Sequence, residues 1–145
     1  VSEIQRDIAR LIMPSWVTDL PHNFGSPKAG TLKADVWRSA LYLHLPLTMI
    51  RLWGNLPNTD WRKQILDNTM TLLEAIYYGS SNTITAERAG MYTVAMQTYL
   101  KGLHQLFPEK DLLPNHHMAL HIEECLLRFG PIRGWWTFPY ERLIG

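Results

Sequence analysis

The chain has 145 residues, 46% of them hydrophobic, and its 14 Lys plus Arg nearly balance 13 Asp plus Glu, for a net charge of +1. That length suits one core rather than two domains, and the balance excludes the strongly basic make-up usual in a stand-alone DNA-binding domain, leaving any contact with nucleic acid to local patches. The single cysteine, Cys125, excludes an internal disulfide framework and points to a reducing, intracellular setting, while no apolar run reaches the ~18–20 residues of a membrane span.

The first expected helix runs from Glu3 to Met13, with Ile4, Ile8, Leu11 and Ile12 on one face, Ser2 as its N-cap and Pro14 as its stop. Residues 14–32 carry Pro21, Gly25, Pro27 and Gly30 and read as an ordered loop, which Trp16, Leu20 and Phe24 dock on the core. Lys33 to Trp53 reads as a central helix, apolar on nearly all sides in its second half, with Asp35 favoured at its N-terminus by the helix dipole and a kink at Pro46. Asn58 or Thr59 caps a helix from Asp60 to Tyr78 that buries Trp61, Ile65, Met70, Leu72, Leu73 and Ile76. Thr85 caps another, Ala86 to Phe107, with Met91, Val94, Ala95, Thr98, Tyr99 and Leu103 at helical spacing, and Pro108 ends it. No segment alternates with period two, so the expected fold is all-α: a four- or five-helix bundle forming a single domain over residues 1–145.

The last thirty-one residues, NHHMALHIEECLLRFGPIRGWWTFPYERLIG, are the densest in special chemistry. An amphipathic helix starts among His116, His117 and His121, runs to Phe129 and stops at Gly130-Pro131. His117 and His121 stand four apart, about 40° apart around a helix, and Cys125 continues that face one turn later. These histidines are metal candidates, but two or three ligands do not complete a structural zinc site, which takes four; the plainer alternative is that Asn115 and His116 cap the helix and His121 is a satisfied core residue. A metalloprotease motif is excluded, because Met118 rather than a glutamate follows His117. Glu123 and Glu124 read as a solvated face, and Trp135 and Trp136 as packing residues. Glu141 opens one more helix just before the chain stops, at a first-turn position where the dipole also favours a carboxylate. The start at Val1 rather than Met and the end one turn into this helix mark the chain as a fragment of a longer protein.

The set LPNHHMALHI, FGPIRGWW and FPYERLIG, together with PSWV, NFGSPKAGTLKADVWR and LPLTMIRLWG upstream, resembles the C-terminal region of CACTA-type (En/Spm-like) DNA transposases, above all their fungal versions. The resemblance covers nearly the whole chain. It implies an RNase H-like core elsewhere in the protein, in which two Asp and one Glu hold Mg2+ or Mn2+ for strand cleavage and transfer, with a helical insertion before the Glu. On that scheme the present helices are the insertion and Glu141 is the final acid. By analogy with the related antigen-receptor recombinase, His121 with His116 or His117 supplies half of a Zn2+ site completed by a Cys-x-x-Cys outside this chain. The resemblance further implies transposon-end DNA as partner, with Arg128, Arg133 and Arg142 as DNA contacts, assembly as a homo-oligomer, and nuclear localisation without a membrane role. A single core carboxylate makes the fragment inactive alone. The competing expectation is a non-catalytic helical interaction module, domesticated or decayed, that binds protein or DNA backbone through Arg38, Arg51, Arg62, Lys63, Arg128, Arg133 and Arg142.

Overall fold

The computed structural model describes residues 1–15 and 17–136. Within them regular structure is entirely helical, with no strand, as the lack of period-two patterning requires. Seven α-helices appear there, against the four or five expected: α1 (Ser2–Arg10), α2 (Ala34–Ser39), α3 (Leu45–Trp53), α4 (Trp61–Gly79), α5 (Ala86–Leu106), α6 (Pro114–Ala119) and α7 (Ile122–Phe129). The chain divides into two units, Val1–Leu56 and Pro57–Gly145. Trp16 and the segment 137–145, which holds FPYERLIG, lie outside the described residues, as does the side chain of Asp35.

In the first unit, α1 buries Ile4 and Ile8 against Leu20, Phe24 and Ala40, with Leu32, Val36 and Leu45 half-buried around them. The loop after α1 is fixed by more than these apolar contacts: Gln5 Nε2 donates to the Phe24 carbonyl at 3.0 Å, and the Phe24 ring meets Trp37 edge-on at 5.8 Å. α1 ends at Arg10, three residues before the expected end at Met13, because Leu11 is already extended, and Val1 rather than Ser2 stands at its N-cap. A polar clamp ties α1 to α3. Thr48 Oγ1 donates to Asp7 Oδ2 at 2.8 Å, and Arg51 spans Asp7 and Glu3 at 3.0 and 2.8 Å.

The expected helix of Lys33–Trp53 is broken into α2 and α3 by a π-helical turn, Ala40–His44. Proline explains the break, which lies N-terminal to Pro46: its ring lacks an N–H and crowds the carbonyl four residues back, so the preceding turn widens, and Leu45 N–H reaches the Ala40 carbonyl five residues away. Nor is this segment buried all round: Ala40, His44, Pro46 and Thr48 face inward, while Trp37, Leu47, Ile50 and Leu52 are exposed.

The second unit is built on the α4–α5 pair, with α7 packed against both. Its core is Ala75, Ala89, Tyr92, Ala95, Met96, Leu100 and Leu126. Small residues let the helices approach: a Cβ on Gly79 would lie 2.9 Å from the Tyr92 ring. Asp60, not Asn58 or Thr59, caps α4, accepting from the Arg62 N–H at 2.9 Å. Arg62 also forms an ion pair with Asp60 and, with that backbone bond, holds its pKa down to about 2. Thr85 caps α5 as expected, accepting from the Arg88 N–H at 3.2 Å. The buried faces differ from the expected ones. Trp61 and Met70 on α4 are exposed while Leu66 and Ala75 are buried, and Met91, Val94 and Thr98 on α5 are exposed while Tyr92, Met96 and Leu100 are buried. Both helices carry apolar residues on more than one side, so spacing alone does not choose the side.

Candidate functional site

The segment expected as one helix up to Phe129 is two. α6 tightens at its end through Leu120 N–H to the His117 carbonyl, 3.0 Å, and His121 N–H to the Met118 carbonyl, 3.1 Å. The Ala119 carbonyl accepts instead from the Tyr92 hydroxyl, 2.8 Å away across the core. Burial pushes the Tyr92 phenol up to about 12, which keeps it a proton donor at any physiological pH. Leu126, 1% exposed, seats α7, and Gly130 (φ 76°), in the left-handed region that favours glycine, ends it.

Of the three histidines, two come together. His117 Nε2 and His121 Nε2 lie 3.3 Å apart, with ring centroids at 4.9 Å and planes inclined by 76°. His116 is engaged elsewhere: its Nδ1 accepts from the Leu113 N–H at 3.0 Å and caps α6. Of the two, His117 is the one that stands beside His121; the cap role expected for His116 holds, whereas Asn115, expected to share it, lies inside α6. His121 is exposed, not a core residue.

Two nitrogens each ~2.0–2.1 Å from a tetrahedral ion stand about 3.3–3.4 Å apart, so the pair has the separation of two ligands on one zinc. At the same distance one imidazole can donate to the other when a single Nε2 carries the proton. Among the described residues no group of three or more His, Cys, Asp or Glu is arranged to hold a metal ion. Cys125 is half-buried, and Glu123, expected to be solvated, is half-buried and accepts from the Thr93 hydroxyl. Glu124 is exposed.

Arg128 and Arg133 are exposed, each with its guanidinium over an aromatic ring: Phe129 at 5.3 Å and Trp136 at 5.7 Å. A guanidinium can contact a ring face and still offer N–H donors to a phosphate. Trp135 donates from Nε1 to the Gly130 carbonyl at 3.0 Å and packs on the core, the role expected of it. Glu141 and Arg142 lie outside the described residues. Arg51, Arg62 and Lys63 each pair with a carboxylate of the chain itself.

No protein-family model, curated protein or solved structure matches the chain. Among the described residues no helix is long and apolar enough to cross a membrane.

Proposed function

We propose that the chain is the C-terminal helical portion of a CACTA-type cut-and-paste DNA transposase, inactive as a nuclease alone, with His117 and His121 as half of a zinc site and Glu141 as one of the acids that hold Mg2+ or Mn2+. The observation that supports this reading is a coincidence: inside the stretch LPNHHMALHI, part of the resemblance, two imidazoles stand 3.3 Å apart, the separation of two ligands on one tetrahedral ion. The bound divalent cations would supply the Lewis-acid chemistry of strand cleavage. This chain's own contribution is a helical support that fixes the histidine pair from the core outward, through Tyr92 and Leu126, and presents Arg128 and Arg133 to the DNA backbone.

The test is made in the complete transposase. Glu141→Gln should abolish metal-dependent cleavage at transposon ends while folding and DNA binding stay intact, and normal cleavage by that variant would remove Glu141 from the role. The second reading, a non-catalytic interaction module, draws on the ion pairs of Arg51, Arg62 and Lys63: cations already neutralised within the chain favour a protein partner over DNA.

A further inference from the structure

α5 has a second apolar side that its own core does not use. Met91 and Val94 are 41% and 65% exposed, and with Tyr78 of α4, Thr71, Thr98 and the edge of the core at Ala95 they line an open groove. A carboxylate stands on each wall, Glu74 on α4 and Glu87 on α5, and no basic residue lines the groove. Both acids are exposed, and neither has a hydrogen-bond or ionic partner among the described residues.

Gly90 is the independent observation. A glycine within a helix weakens it, and close approach of a neighbour is one use of its missing side chain. Gly79 and Gly102 meet that description within the fold, since added Cβ atoms would lie 2.9 Å from the Tyr92 ring and 2.1 Å from Asn68 Oδ1. At Gly90 a Cβ would meet nothing within 4 Å, although the residue lines the groove. The side of α5 at Gly90 is thus open, and a large side chain there would fill part of the groove.

We propose that this groove is a docking site for an amphipathic helix of another protein, apolar on its seating side and bearing Lys or Arg along both edges. From Glu87 to Thr98 the α5 wall spans about 17 Å, room for roughly three helical turns. Charge selects this occupant. The unpaired carboxylates repel a nucleic-acid backbone, and a two-fold contact between copies through this groove would bring the carboxylates of one copy against those of the other. Basic edges neutralise both acids while Met91 and Val94 lose their water, which is helix-in-groove recognition with its polarity set by the rim. The surface stands independently of the transposase reading.

The experiment uses the full chain as bait for a displayed library of helix-forming 18-residue peptides, followed by fluorescence anisotropy on the best of them. Amphipathic peptides carrying Lys or Arg should be enriched. Their affinity should fall by about tenfold or more in Glu74→Lys/Glu87→Lys, as like charges meet across the rim. Gly90→Leu fills the groove floor from an open position and should weaken binding by about tenfold or more while the helical circular dichroism and Tm stay at or above those of the parent. This second variant guards against the chance that Glu87→Lys frays the first turn of α5. Failure to enrich any micromolar binder, selection of peptides without basic residues, or affinity unchanged in both variants would overturn the proposal. So would self-association of the parent chain that Gly90→Leu abolishes, which would assign the groove to a second copy.

Discussion

In residues 1–56 the contact between α1 and α3 is largely polar: Asp7 accepts from the Thr48 hydroxyl and from Arg51, Glu3 holds the other side of the same guanidinium, and His44 is buried beside them in sequence with neither ring nitrogen hydrogen-bonded. In the unit that follows, α4, α5 and α7 meet through apolar side chains and small residues, and the deepest polar contact is one phenol on one carbonyl. The difference is one of vulnerability. Hydrogen bonds to a charged group stabilise only while the charge persists, and a buried imidazole without partners is tolerated only while neutral. Apolar burial responds to volume instead, and hardly to pH. Acid should therefore find the first unit, and a cavity the second.

The largest expected effect belongs to the cavity. Leu126, 1% exposed, plugs the core from α7, and Leu126→Ala should cost about 2–5 kcal/mol, read by chemical denaturation. Because Leu126 also seats α7, whose N-cap residue is His121, the same variant should loosen the His117–His121 pair. Amide exchange should rise across α6 and α7 and stay unchanged in α1; an equal rise in both units would contradict the separation.

Second comes acid. Burial lowers the pKa of His44, with Asp19 the charge that opposes this. The unfolded chain then takes up the proton first, so the contribution of neutral His44 to stability is complete above the unfolded value of about 6.5 and is lost as pH falls below it. Burial of Asp7 pushes its carboxyl upward, but the hydrogen bonds from Thr48 and Arg51 outweigh this and leave it lowered. Its contribution is present above the ordinary carboxylate range and disappears below it. Amide exchange followed from pH 7 to pH 5 should show residues 1–56 opening while the α4–α5 pair stays protected. His44→Leu, of similar volume and without polar atoms to strand, should flatten this first limb and leave the carboxylate limb at lower pH in place. A limb unchanged by His44→Leu would show that another group sets it.

How far the sequence discloses these features follows from the range of the interaction behind each. Thr85, Pro108 and Gly130 mark helix ends through atoms within a few residues, and the structure bears out all three. The i, i+4 spacing of His117 and His121 likewise brought the two rings together, although the helix that carries them is broken between α6 and α7. At that break the Ala119 carbonyl accepts from the Tyr92 hydroxyl, 27 residues away, and no local pattern announces this contact. The cap role of His116 excludes it from the pair only once the helix is known to begin at Pro114. The π-turn before Pro46 was legible as a distortion but not in kind. On α5 the apolar residues are spread so broadly that the face with Met91 and Val94 matched helical spacing as well as the face with Tyr92 and Met96, and only packing against α4 and α7 separates them.

The smallest expected effect tests that unused face directly. At Gly90 the backbone is helical and the space above it is open, so Gly90→Ala removes the entropic penalty of glycine without meeting a neighbour. The gain should be about 0.5–1 kcal/mol, or roughly 1–4 °C in Tm for a chain of this size. Gly79→Ala supplies the control within the same unit: its Cβ would press on the Tyr92 ring, which its bond to the Ala119 carbonyl holds in place, and it should destabilise by about 1–3 kcal/mol. A gain would show that packing within the fold does not require the glycine, as the groove proposal needs. If Gly90→Ala instead lowers Tm, the fold itself requires the glycine, and the groove loses the observation that distinguishes it from an ordinary exposed helix face.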